Sequence, residues 1–245
     1  MPQLSFAFKG CGWIGAAALP AAAAAVAVAV SALLGGRAYV AASFIVVLCA
    51  SAPFFIRFEQ RRPQARELAL LAVLCALAVA SRAAFVWVPH FKPMAGIIMI
   101  AGMALGPSSG FMVGSMAALV SNFIFGQGPW TPWQMLAFGL CGLVFGLIGR
   151  RVVRPGVHLG WSVRMALAVA GGLFIVLVAG PVLDTSSLFL MVSRLTPEAA
   201  AAVYLAGFPV NCSHGIATAV TLLLLADPLL SRLSRLGKKY GMPVR

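Results

Sequence analysis

The chain contains very few acidic residues. The 245 residues include 5 Asp and Glu but 18 Lys and Arg. Charged residues make up 9% of the chain and hydrophobic residues make up 62%. A soluble domain normally carries far more charge on its surface, so this composition excludes an ordinary soluble protein. The mean hydropathy of +1.00 indicates instead a chain whose solvent is lipid.

Several catalytic and ligand-binding motifs are also missing from the sequence. It has no HExxH or GxSxG, and no carboxylate pair within an apolar run, which weighs against an intramembrane enzyme. It has no GxxxxGK[ST] phosphate loop, so any ATP must be bound by a partner subunit. The five cysteines show no CxxC or Cys/His ligand spacing. We therefore expect no enzyme activity, no metal site and no cofactor bound directly.

Long apolar runs dominate what is present. A helix needs about 20 apolar residues to cross a bilayer, and the sequence predicts an all-α polytopic membrane protein with eight spans, two of them short. We interpret the short pair, Met94–Leu105 and 111–125, as a helical hairpin joined by the tight turn GPSSG at 106–110. The eight predicted spans are 11–34, 38–56, 68–88, Met94–Leu105, 111–125, 133–148, 163–182 and 199–226.

The basic residues predict the orientation of these spans. If both termini are cytoplasmic, fourteen of the 18 Lys and Arg fall on the cytoplasmic side, as the positive-inside rule requires. The net charge therefore reports topology rather than nucleic-acid binding, and the expected location is the cell (inner) membrane. Arg82 alone lies in the interior of a predicted span, and we expect it to extend outward to the membrane surface. The charged segment 57–66 divides the chain into two extra N-terminal helices with a linker (1–66), a six-helix core (67–230) and a basic tail (231–245).

The most unusual stretch is FGQGPWTPWQM at 125–135, which lies between two apolar runs. Its prolines predict an ordered loop, with the next helix beginning near Pro132. One interpretation assigns its aromatic rings to the belt at the membrane interface. Neutral hydrogen-bonding groups clustered beside such rings are instead typical of a ligand site. We therefore predict that this stretch contacts a substrate through Gln127, Trp130, Thr131, Trp133 and Gln134.

Other polar residues extend this predicted site. His90 lies in the outer loop WVPHFKP, and a third outer segment begins at Gly180 and carries Asp184. Asn122, Asn211 and His214 are polar groups within apolar spans. Each of these three could instead only bond a neighbouring helix, which is a common role worth about 1 kcal/mol or less.

Small residues line one face of the first core helix. Ala72, Ala76 and Ala80 recur at four-residue spacing in ELALLAVLCALAVASRAAF. Such a stripe lets another helix approach closely, so it predicts a docking face for a partner, although ordinary packing inside the protein is the alternative.

The order of these motifs resembles that of the substrate-binding S components of energy-coupling factor (ECF) vitamin transporters. The motifs are the alanine-striped helix, the loop ending FKP, GPSSG, GQGPWTPWQM and FPVNCSHGIATAV. The resemblance implies six transmembrane helices, an alanine motif that meets a transmembrane coupling subunit, and two ATPase subunits that use ATP. The GPWxP[FW]QM loop at 128–135 is similar to the group that takes up cobalamin or related corrinoids, although several other vitamins also suit such a site. A self-contained, ion-coupled secondary transporter and an intramembrane enzyme are the alternatives.

Overall fold

A computed structural model of the chain describes residues 38–61, 63–153, 158–192 and 196–241. These residues form seven helices and no strand. Five of the helices are long and apolar enough to cross a membrane and one is a shorter apolar helix, so the prediction of an all-α polytopic membrane protein is confirmed. The predicted first span, 11–34, lies outside the described residues. The helices are α1 (Ala38–Gln60), α2 (Ala65–Ala84), α3 (Met94–Leu105), α4 (Pro107–Phe125), α5 (Thr131–Val152), α6 (Trp161–Met191) and α7 (Pro197–Tyr240).

Helix α3 is the centre of the bundle. All twelve of its residues are buried, although the helix is too short to cross a bilayer alone. It packs against α2, α4, α5 and α7. The predicted hairpin of α3 and α4 is confirmed, but its turn is much shorter than GPSSG. Gly106 alone breaks the helix, with a φ of 91° that favours glycine, and α4 already begins at Pro107, whose fixed φ suits a first helical position.

Helices α4 and α5 approach to backbone contact. A Cβ atom added at Gly142 of α5 would overlap the carbonyl group of Gly110 in α4, and one at Gly102 of α3 would overlap the carbonyl group of Gly142. Only glycine permits this spacing, since any side chain would separate the three helices. The close packing holds the first half of α4 against the middle of α5.

A Gly142→Ala variant is expected to be destabilised by about 1–3 kcal/mol, because the added methyl group must push backbone rather than a flexible side chain. The measurement is thermal unfolding of the purified protein in detergent. Gly160→Ala is the matched control, since a Cβ atom there meets nothing within 4 Å. Equal melting temperatures for the two variants would contradict the close packing of α4 on α5.

Helix α6 is longer than predicted. The sequence places Asp184 in an outer loop after a span that ends at 182, but α6 continues through Pro181 to Met191. Its segment Ile175–Ala179 has π-helical hydrogen bonding. Such a widened turn accommodates Pro181, whose ring would otherwise clash with the carbonyl group four residues earlier. Asp184 therefore lies on a helix, facing α7.

Helix α7 also exceeds its predicted end at 226. It remains helical to Tyr240, and Leu230, Leu233 and Gly237 stay buried on one face. This spacing continues the packing stripe of the helix, so the chain gains burial by extending it. The division of the chain at 66 and 230 stays a prediction.

The second predicted N-terminal helix, α1, packs on the beginning of α4. The Phe54 ring stacks on Phe111 with centroids 4.4 Å apart. Arg61, just after α1, donates to Ser109 of α4 and pairs with Glu67 of α2. The helix α1, which the sequence predicts to precede the six-helix core α2–α7, therefore packs directly on that core.

Candidate functional site

A cavity of about 60 Å³ lies where five of the six core helices meet. It sits at the end of the bundle that carries the loops 85–93 and 126–130, which we call the loop end. Its wall is mostly apolar, with a few polar side chains from separate helices, which is the usual composition of a small-molecule site. The lining residues are Arg82, Lys92, Met94, Ala95, Gln134, Phe138, Ile175, Ala179, Gly180, Leu183, His214 and Thr218.

A chain of hydrogen bonds joins the predicted loop residues to this cavity. Asn122, at the end of α4, is 1% exposed and donates to Thr131 Oγ1 at 3.0 Å and to Gln134 Oε1 at 2.8 Å. Thr131 donates in turn to Gln127 Oε1 at 2.8 Å. Arg82 donates to Asn122 Oδ1 at 3.2 Å. We call these five residues, Arg82, Asn122, Gln127, Thr131 and Gln134, the amide network.

The expectation that Arg82 extends outward is wrong. Its Nη1 atom donates to Ser121 Oγ at 2.7 Å as well as to Asn122, and its guanidinium group lies over the Phe125 ring at 4.5 Å. Two oxygen acceptors on α4 and an aromatic face supply the contacts that water would otherwise give. The charge is therefore held inside the bundle, at the cavity wall.

The predicted polar residues of α7 have different surroundings. His214 lies on the cavity wall, and its ring is 6.3 Å from that of His90. His90 itself is exposed, with a φ of 59° that is uncommon for a residue other than glycine. Asn211 does not line the cavity, since it donates to Asp184 Oδ2 at 2.7 Å and packs on Gly180. Asn211 thus fixes α7 against α6 beside the cavity.

Neither tryptophan of the loop lies on the cavity wall. Trp133 is 7% exposed and stacks on Phe189 of α6 with centroids 6.0 Å apart. Trp130 is 40% exposed and its ring covers Gly128. Trp133 therefore joins α5 to α6, and Trp130 shapes the loop. Their predicted contact with a substrate stays a prediction.

The alanine stripe faces away from the bundle. Ala72, Ala76 and Ala80 are all exposed, while Leu71, Leu74 and Ala78 on the opposite face of α2 are buried. Packing among the described residues therefore does not explain the stripe. It borders an apolar groove of about 400 Å³ that includes Ala72 and Ala76 and is lined also by Phe58, Leu68, Leu71, Cys75, Met112, Val113, Met116 and Val120.

Sequence reasoning did not assign three polar residues of the cavity wall to the site: Arg82, Lys92 and Thr218. Arg82 carried a signal, because it is the one basic residue in the interior of a predicted span. Lys92 also carried a signal, because it lies two residues after His90 in a short loop. Thr218 lies one turn after His214 and donates to the carbonyl group of that residue at 2.9 Å. Among the described residues, no three His, Cys, Asp or Glu side chains come together as metal ligands would.

Comparison with known protein families shows which family the helical bundle belongs to. The family model described as ECF-type riboflavin transporter, S component, matches residues 63–231. The matched range holds α2 to α6, most of α7, the whole cavity wall and the amide network. No solved structure matches the chain. Because the match covers more than half of the 245 residues, the chain belongs to the ECF-type riboflavin transporter S-component family, a family of vitamin-binding transporter subunits.

Proposed function

We propose that this protein captures a vitamin at the loop end of the bundle, on the outer side of the cell membrane, and presents it for ATP-driven uptake. The observation that carries the proposal is the cavity built by five helices of the matched core. Both chain termini are then cytoplasmic. A transmembrane coupling subunit docks on Ala72, Ala76 and Ala80, and two ATPase subunits of that assembly hydrolyse ATP. The chain itself binds no cofactor.

The cavity is too small for a whole vitamin, so binding requires the loop end to open. We expect the loops 85–93 and 126–130 to move, because they lie outside the helices at this end of the bundle. The second loop is tied to the cavity wall by the amide network. Movement of the loop that displaces Thr131 therefore disturbs Asn122 and Gln134 as well. This linkage gives a substrate group in the cavity a direct means to fix the loop.

Two vitamins are candidate substrates. The matching family is described by riboflavin, a flat tricyclic compound. The loop GPWTPWQM at 128–135 instead resembles the corrinoid group, and cobalamin carries many amide groups that suit an amide-rich wall. We propose cobalamin or a related corrinoid on the strength of the loop motif. Riboflavin is the second candidate, on the strength of the family description.

A titration separates the two candidates. The full-length protein is purified in lipid nanodiscs, and riboflavin and cobalamin are titrated separately by calorimetry. We expect saturable, one-to-one binding of cobalamin and much weaker binding of riboflavin. If riboflavin binds more tightly than cobalamin, riboflavin is the substrate and the corrinoid is not. Failure of both vitamins to bind, with folded protein, would count against both substrates.

The acidic residues argue against the ion-coupled alternative. A secondary transporter driven by protons or sodium usually needs carboxylates within the membrane that are free to exchange an ion. Glu67 is paired with Arg61, Asp184 accepts from Asn211, and Asp227 accepts from Leu159 N at 2.7 Å. The other two acidic residues, Glu59 and Glu198, are exposed. Uptake by cells that lack the ATPase subunits would contradict the proposal and favour the ion-coupled class.

Trp130→Ala and Trp133→Ala are each expected to weaken vitamin binding at least about tenfold, because an aromatic ring that a bound ligand covers can contribute about 2 kcal/mol. Trp133→Ala is expected to have the larger effect, since its ring joins α5 to α6 beside the cavity. Calorimetric titration of each purified variant measures this. Trp87→Ala is the matched control, because Trp87 is 89% exposed at the same end. If both loop variants bind like Trp87→Ala, the rings belong to the interfacial belt.

A further inference from the structure

Two buried nitrogen atoms on the cavity wall have no hydrogen-bond partner among the described residues. They are Arg82 Nε and His214 Nε2, on α2 and α7. Buried polar atoms in folded proteins are almost always paired, so each such exception needs an explanation. Because both residues face one cavity, a single group bound there would supply partners for both.

The cavity also gathers positive charge. Lys92, in the loop 85–93, is half-buried and shares the wall with Arg82. Burial lowers the pKa of Lys92, and the neighbouring charge of Arg82 lowers it further. Two cations facing one small space repel each other unless an anion lies between them.

No carboxylate of the described residues lines this cavity. Asp184 follows Leu183 on α6, but its carboxylate accepts from Asn211 and packs against Gly207 on α7. The bonds of Arg82 Nη1 go to the neutral oxygen atoms of Ser121 and Asn122. The positive charge at the wall is therefore held in place by neutral groups, and no described residue neutralises it.

We propose that the cavity is an anion subsite, in which Arg82, Lys92 and His214 bind a carboxylate or phosphate group of the substrate. The subsite rests on the proposed capture of a vitamin and defines the chemical class of that vitamin. A volume of about 60 Å³ accommodates one such group but not a whole vitamin. Arginine suits the role because its planar guanidinium group offers several donors to the oxygen atoms of one anion. The remainder of the substrate lies towards the loop end, where Trp130 and His90 are exposed.

The subsite can be probed with small anions before the vitamin is known. Sodium phosphate and sodium acetate are added to the full-length protein in nanodiscs, with sodium chloride at matched ionic strength, and the melting temperature is recorded. We expect phosphate or acetate to raise the melting temperature of the parent by about 2–4 °C over chloride. Arg82→Gln and Lys92→Gln are expected to lose that increase. Arg150→Gln, an exposed arginine at the opposite end of α5, is the matched control and should keep it.

A matched pair of vitamins extends the test. Riboflavin and riboflavin 5′-phosphate differ only by the phosphate group, and we expect the phosphate to bind at least about tenfold more tightly, as expected for a charge-assisted contact. Lys92→Gln, which alters a loop residue and leaves the bonds of Arg82 intact, should reduce that ratio. The subsite is overturned if neither small anion raises the parent's melting temperature more than that of Arg82→Gln and Lys92→Gln. Stabilisation by anions without binding of any vitamin would instead overturn the proposed function alone.

Discussion

An Ala76→Leu, Ala80→Leu double variant is expected to reduce vitamin uptake at least about tenfold while binding the vitamin almost as tightly as the parent, because close approach of two helices requires small residues at their contact. Both alanines are exposed on α2, and the helical rotation places them on a different side of the helix from the cavity-lining Arg82. Longer side chains there keep the coupling subunit at a distance and leave the binding site unaltered. Uptake by cells that express the whole transporter is compared with calorimetric titration of the purified variant.

The matched control is Ala202→Leu with Ala206→Leu. These alanines are also exposed and four residues apart, but they lie on α7. We expect the control to transport like the parent, since it adds the same apolar volume elsewhere on the bundle. Equal uptake by the two double variants would show that the stripe on α2 is not a docking face. A parallel loss of binding in the α2 variant would show that the stripe supports the fold instead.

An Asn122→Ala variant is expected to bind the vitamin at least about tenfold more weakly, a loss of about 1.4 kcal/mol or more. The side chain of Asn122 forms hydrogen bonds with Arg82, Thr131 and Gln134. Its removal takes one hydrogen-bond partner from each of these three residues at a site that water reaches poorly. Each buried group left unpaired costs about 1–3 kcal/mol, so the melting temperature should fall as well. Titration of the folded fraction, recovered by size-exclusion chromatography, separates the loss of affinity from the loss of stability.

Gln127→Ala is the control for the outer part of the same network. Gln127 is exposed, and it bonds Thr131 and the carbonyl group of Leu119 where water can replace it. We expect a change of about 0.5 kcal/mol or less in stability, as is usual for surface substitutions. If Asn122→Ala and Gln127→Ala bind the vitamin equally, the buried centre of the network has no special role in the site.

Sequence reasoning named four of the five residues of the amide network, but only two of the polar residues that line the cavity, Gln134 and His214. Gln127, Thr131 and Gln134 belong to one short motif, so their proximity was predictable from the sequence. Asn122 joins them because α4 ends where α5 begins, which the hairpin geometry decides. Trp133 carried a clear signal as an aromatic residue in that motif, yet it stacks on Phe189, 56 positions later in the chain. Contacts between helices depend on their rotation, and periodicity does not specify that rotation in helices that are apolar on most sides.

The sequence by itself determined that this is a helical membrane protein with a chemically dense loop and a small-residue stripe, because hydropathy, proline and glycine act locally along the chain. Only the tertiary structure decided where Arg82 and Asp184 lie. The sequence placed Arg82 at the membrane surface and Asp184 in a loop, but packing of α2 on α4 turned Arg82 towards Ser121 and Asn122, and the π-helical segment carried α6 past Pro181. A partly buried charge is stable only where the fold supplies its partners, and the partners of Arg82 on α4 lie 39 and 40 positions away in the chain.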